Sequence, residues 1–141
     1  MKSTRKPRLA RPLPRRAAMI FVTLATLVAA WLNWQPAPLL MCHALDGDTI
    51  RCGEERVRLA GIDAPERRAR CEAERRLAAA ATERLGSLMA EGVRLHTTGQ
   101  DRYGRALAVV RDPKGEDLGA VLVREGLARP YQGRGPREGW C

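Results

Sequence analysis

Carboxylates gather in three short stretches of this chain: Asp46-Gly47-Asp48-Thr49, Arg58-Leu59-Ala60-Gly61-Ile62-Asp63-Ala64-Pro65-Glu66 and Asp101-Arg102-Tyr103-Gly104-Arg105. Carboxylate and backbone carbonyl oxygens are what a hard cation such as Ca²⁺ takes as ligands. Asp48, just past a glycine turn, and Asp63, at a strand end, are the candidate ligands, with the Ala64 carbonyl beside them. Asp46 is placed to orient that shell from behind. Glu66 lies beyond a rigid proline, near the cation but outside its inner shell. That is the position of a general base that takes a proton from an attacking water.

Two arginines accompany the acids. Arg58 stands in an otherwise apolar strand and needs an anionic partner or an open face; Arg105 starts a strand after a tight turn. A guanidinium stays charged and meets phosphate oxygens with two donors at once. Aimed at the transition state, such groups stabilise the charge that develops there. Each piece has an ordinary reading: a turn, a helix-start glutamate, a surface cation. In combination they imply phosphodiester hydrolysis. Tyr103 and Tyr131, the only tyrosines, both flank basic residues and suit either stacking on a base or packing. His43 and His96 stand alone in strands and read as structural.

The formal charge of +9 over 141 residues belongs mostly to the N-terminus. Lys2, Arg5, Lys6, Arg8, Arg11, Arg15 and Arg16 supply seven positive charges without an acid among them, leaving +2 for the rest. A nearly neutral domain must bind a polyanion through a local site, so net charge is no argument for a nucleic-acid partner. The basic head is followed by the uncharged apolar run Ala17–Leu32. Together, residues 1–34 read as a secretory signal peptide or a membrane anchor, 35–39 as a linker and 40–141 as the folded domain. Basic residues stay on the cytoplasmic side, so either reading places the domain outside, periplasmic or extracellular.

Export permits disulfides. A turn centred on Gly47 sets Cys42 opposite Cys52, which leaves Cys71 to pair with Cys141; free buried thiols are the other reading. No CxxC pair is present, which argues against zinc.

The elements that must position these residues follow from local pattern. Leu40–Leu45 and Thr49–Cys52 read as strands around the Asp-Gly-Asp turn, where Gly47 supplies the positive φ that hairpins require. Arg56–Ile62 alternates and ends at Pro65. Cys71–Glu91 is alanine-rich, with Leu77, Ala81, Leu85, Leu88 and Met89 on one face and Gly92 as its stop. Val93–Thr98 and Arg105–Arg111 are further strands. Asp117–Glu125 is a short helix capped by Asp117 and ended by Gly126. Five strands and two helices in this order specify an α+β domain, mainly β, matching the five-stranded oligonucleotide-binding (OB-fold) barrel.

The segments DGDT at 46–49, VRLAGIDAPE at 57–66, DRYGRALA at 101–108 and LVREGLARPY at 122–131 resemble the staphylococcal nuclease (thermonuclease-like) family in order and spacing. The resemblance implies a Ca²⁺-dependent nuclease on an OB-fold barrel that cuts DNA or RNA to 3′-phosphate ends. Its metal ligands fall here on Asp48, Asp63 and the Ala64 carbonyl, and its catalytic residues on Arg58, Glu66 and Arg105. Its nucleotide contacts map onto Arg102, Tyr103, Arg129 and Tyr131. Three departures stand out: Ala64 replaces a frequent threonine, the loop between Glu66 and the first helix is short, and the family's long C-terminal helix is missing. A Cys71–Cys141 bridge would replace the anchoring which that helix provides.

Overall fold

A computed structural model describes residues 37–141. The signal or anchor expected in residues 1–34 lies outside them. Among the described residues, no helix is long and apolar enough to cross a membrane.

The fold starts from a hairpin. Strand β1 (Cys42–Asp46) pairs antiparallel with β2 (Thr49–Cys52), with Cys42 opposite Cys52 and Ala44 opposite Ile50. A bulge after Ala44 brings Asp46 opposite Thr49. The turn therefore falls on Gly47-Asp48. The expected positive φ at Gly47 is absent. Glycine is required there for a different reason: an added Cβ would lie 2.8 Å from the Ala81 Cβ and 2.9 Å from the Ala64 Cβ. No side chain fits between the turn and its neighbours.

The single strand expected over Arg56–Ile62 is two. Strand β3 (Glu55–Leu59) stops where Gly61 turns the chain at φ 80°, and β4 (Ile62–Asp63) resumes beyond it. Strand β3 lies between β2 and the parallel strand β6 (Ala106–Arg111), which pairs antiparallel with β5 (Arg94–Gln100). The sheet order is β1-β2-β3-β6-β5, and β4 pairs separately with β7 (Arg129–Pro130). The sheet has the five strands expected of the OB-fold barrel, but among the described residues it does not close. Its two edges touch at one bridge, where Leu40 N donates to Val93 O at 2.7 Å and Val93 N to Leu40 O at 2.9 Å. Pro38 has no N–H with which to extend that bridge into a ladder.

Helix α1 (Glu72–Leu88) covers the hairpin and buries Ala78, Ala81 and Leu85. Glu72 and Glu74 in its first turn favour the positive end of its dipole. Beyond it, Gly92 adopts φ 84°, the stop expected there. Helix α2 (Leu118–Arg124) is capped by the Asp117 carboxylate, which accepts from Gly119 N at 2.9 Å and Ala120 N at 3.3 Å. Ile50, Val57, Leu59, Leu85, Met89, Val93, Val110, Leu118 and Leu122 fill the core between sheet and helices. Both disulfides form, Cys42–Cys52 and Cys71–Cys141, and no described cysteine is free. The second ties residues 132–141, which carry neither helix nor strand, to the start of α1.

Candidate active site

The register of β2 and β3 sets Thr49 opposite Arg58, and Leu59 N donates to Asp48 O at 2.8 Å. Asp48, at the mouth of the turn, is thereby brought alongside Arg58. Asp48 Oδ2 lies 2.7 Å from Arg58 Nη1, while its Oδ1 accepts from the Thr49 hydroxyl at 2.9 Å. Asp63 arrives from β4, with its Oδ1 3.7 Å from Arg58 Nη2. All three are buried, at 7%, 9% and 6% exposure for Asp48, Arg58 and Asp63. Two of their atoms, Arg58 Nη2 and Asp63 Oδ1, are buried without a hydrogen-bond partner among the described residues. Leaving such groups unpaired costs about 1–3 kcal/mol each. A donor and an acceptor orphaned side by side suit a ligand that brings both an anionic oxygen and a cation.

Glu66 stands at the rim, with its side chain 70% exposed. The buried residues Ala64 and Pro65 hold the chain below it. Its backbone N–H donates to Glu74 Oε1 at 3.1 Å, so the first turn of α1 fixes the short loop. The Glu66 carboxyl titrates above the ordinary glutamate value, because the walls strip some of its water and Asp48 repels its charge. Arg137 opposes that rise, while Asp46 and Asp63 add to it.

Across the cleft, Asp101 shapes the turn that presents Arg105. One carboxylate oxygen accepts from the backbone N–H groups of Tyr103 at 2.8 Å and Arg105 at 2.9 Å, and the other accepts from Arg105 Nε at 2.6 Å. Gly104, at φ 78°, closes the turn. Partial desolvation works against the Asp101 charge, but the hydrogen bonds from Arg105 and Tyr103 outweigh it and hold the carboxyl below its usual range. Arg102 lies over the exposed Tyr103 ring, 4.9 Å from its centre.

Asp48, Arg58, Ala64, Glu66, Arg102, Tyr103, Arg105 and Tyr131 line one cleft of about 430 Å³. Asp46 also lines it, but its carboxylate turns to Arg67, 4.0 Å away, rather than to Asp48 or Asp63. Asp63 lies under the C-terminal segment, beside a smaller cavity. Arg129 stays out of the cleft. It donates to Gly139 O at 3.0 Å and lies over the Trp140 ring, 3.9 Å from its centre.

Sequence reasoning missed two residues here. Arg137, which was not among the candidates, places Nη1 3.1 Å from Asp63 Oδ1 and 3.5 Å from Glu66 Oε1. The Trp140 indole N–H donates to Asp63 Oδ2 at 3.4 Å. The expected pairing of Cys71 with Cys141 was the signal that could have found them, since it returns the tail to the segment after Glu66.

The residues present fit a hard cation. Asp48 and Asp63 offer carboxylate oxygens, Asp63 Oδ1 is buried without a hydrogen-bond donor, and Ala64 adjoins both. The one cluster of metal-ligating side chains with atoms within 4.8 Å of one another among the described residues is Cys71, Glu74 and Cys141, and its two cysteines are bonded to each other.

Residues 56–139 match the family described as Staphylococcal nuclease homologue. The chain is 34% identical over 130 residues to the "Micrococcal nuclease" of Shigella flexneri, covering 83% of this chain and 70% of that one. It is 33% identical over 124 residues to "Protein ParB" of Escherichia coli, covering 79% and 67%. An "Uncharacterized endonuclease" of Escherichia coli O157:H7 is 36% identical over 95 residues, covering 64% and 58%. On this match and these identities, the chain belongs to the staphylococcal nuclease homologue family.

Proposed function

We propose that this protein is a Ca²⁺-dependent nuclease that hydrolyses DNA or RNA and leaves 3′-phosphate ends. The observation that carries this reading is the buried Asp48–Arg58–Asp63 group, with its orphaned Arg58 Nη2 and Asp63 Oδ1, of which Asp48 and Arg58 line the cleft shared by Glu66 and Arg105. Asp48, Asp63 and the Ala64 carbonyl are the residues that hold Ca²⁺, which when bound neutralises charge on a phosphate oxygen.

This chain's own residues do the rest. Glu66 takes a proton from the attacking water. As water adds to phosphorus and the bond to the 5′-oxygen breaks, Arg58 and Arg105 stabilise the charge that collects on the remaining oxygens. Asp101 keeps Arg105 in place through its Nε, which leaves the terminal nitrogens for substrate. Tyr103 and Tyr131 line both this cleft and an adjoining groove of about 600 Å³, where a base has a surface to stack on. Residues 1–34 act as a signal or anchor that carries the domain to the periplasm or beyond.

The test incubates the protein with plasmid and single-stranded DNA in Ca²⁺ or EGTA. Calcium-dependent degradation is expected. Retention of intact DNA in a stable complex would instead mark a non-catalytic nucleic-acid-binding module.

A further inference from the structure

The C-terminal segment places a positive charge where a metal ion would neutralise acids. Arg137 Nη1 lies 3.1 Å from Asp63 Oδ1 and 3.5 Å from Glu66 Oε1. The contact with Asp63 is an ion pair without hydrogen-bond geometry, because Asp63 Oδ1 has no hydrogen-bond donor. Arg137 thus supplies charge without satisfying the oxygen. Its guanidinium also lies 5.5 Å from the centre of the Tyr131 ring, and the Tyr131 hydroxyl donates to Gly135 O at 3.1 Å. Arg129 clasps the segment again at Gly139 and Trp140. The Cys71–Cys141 bridge holds its end. Arg137 itself lies in residues 132–141, which form neither helix nor strand.

We infer that Arg137 is a built-in competitor for the cation: its guanidinium neutralises Asp63 and Glu66 and must be displaced, or share them, when Ca²⁺ binds. The inference rests on the calcium reading above. The consequence is a weakened site. A fixed unit charge beside the ligands repels a divalent ion, and the tail that carries it cannot drift away while its disulfide is intact. Reduction of Cys71–Cys141 loosens that hold and strengthens the site.

Calorimetric titration of Ca²⁺ into the metal-stripped, oxidised full chain tests this, with Asp63→Asn assigning the heat to this site. Arg137→Gln is expected to bind Ca²⁺ roughly thirtyfold more tightly than the native protein, the Coulomb effect of a unit charge on a divalent ion roughly 4 Å away at the dielectric of water. Arg137→Lys, which keeps the charge, is expected to stay close to native. An Arg137→Gln affinity equal to or weaker than native overturns the inference while leaving the calcium reading intact. Binding by neither protein overturns both. If circular dichroism shows Arg137→Gln unfolded, the Cys71→Ser/Cys141→Ser double variant decides: tighter binding supports the inference, and unchanged or weaker binding overturns it.

Discussion

Arg58 reaches toward Asp48 and Asp63 unequally: Nη1 is 2.7 Å from Asp48 Oδ2, while Nη2 stands 3.7 Å from Asp63 Oδ1 and bonds nothing among the described residues. One half of the guanidinium holds the site together, and the other half is left for a ligand. Arg58→Ala therefore strikes twice. It leaves two buried carboxylates facing each other, which is expected to cost about 3 kcal/mol of stability. It also removes a transition-state donor, lowering turnover roughly 10²–10³-fold. Denaturant unfolding with and without Ca²⁺ separates the two effects, because added cation recovers stability in the variant but not turnover.

Glu66 gives the pH dependence. Its folded pKa is raised above the unfolded value, so the folded metal-free protein binds this proton more tightly than the unfolded chain does. The resulting stabilisation is fully present below the ordinary glutamate pKa of 4.5 and is lost as pH rises through the folded value. Thermal melts in EDTA are expected to show this loss in the native protein and not in Glu66→Gln. In the assigned role, Glu66→Gln also lowers turnover at least about a hundredfold; near-native turnover would rule the role out.

Arg105 depends on Asp101. Asp101→Ala removes three bonds to the turn and is expected to lower turnover nearly as far as Arg105→Ala. Asp101→Asn keeps one oxygen to accept from the backbone N–H groups and loses both the charge and the acceptor facing Arg105 Nε, so it should fall between. Equal, near-native rates in both variants would show that Arg105 needs no such support.

Gly47→Ala places a methyl within 3 Å of both Ala81 and Ala64, which forces the turn, the helix or the Ala64 segment to move. A loss of about 1–3 kcal/mol is expected, together with weaker Ca²⁺ binding, since Asp48 and Ala64 shift with it. Ala81→Gly in the same chain should recover part of the stability.

The two bridges differ in the loop they close, with sequence separations of 10 for Cys42–Cys52 and 70 for Cys71–Cys141. Loop-closure entropy makes the longer more stabilising, about 4 kcal/mol against about 3. Chemical denaturation of the two double-serine variants checks the order.

Much of this arrangement is written locally. Asp117 followed by an apolar run specifies a capped helix, and the alternation through Val57, Arg58 and Leu59 specifies a strand with one charged position. The hairpin sets Cys42 against Cys52, and the separation of Asp48, Arg58, Asp63 and Glu66 is short enough for one turn and two strands to gather them. These readings hold because backbone preferences, caps and side-chain alternation act over a few residues. Other features had no such signature. Gly47 looked like a turn requirement and is instead a packing requirement, set by a helix more than thirty positions away. Gly61 divided what alternation made one strand.

From the sequence alone came the identity and spacing of the acids and of the two arginines beside them, the order of the main strands and helices, and the partners of the cysteines. Tertiary structure alone decided that the sheet edges meet at a single bridge, that Glu74 holds the Glu66 backbone, and that Arg129 leaves the cleft for the tail. It also brought Arg137 and Trp140 onto Asp63. Those contacts join residues more than seventy positions apart, where which of seventeen arginines outside the N-terminal head meets which acid depends on how the whole chain packs, and no local pattern encodes it.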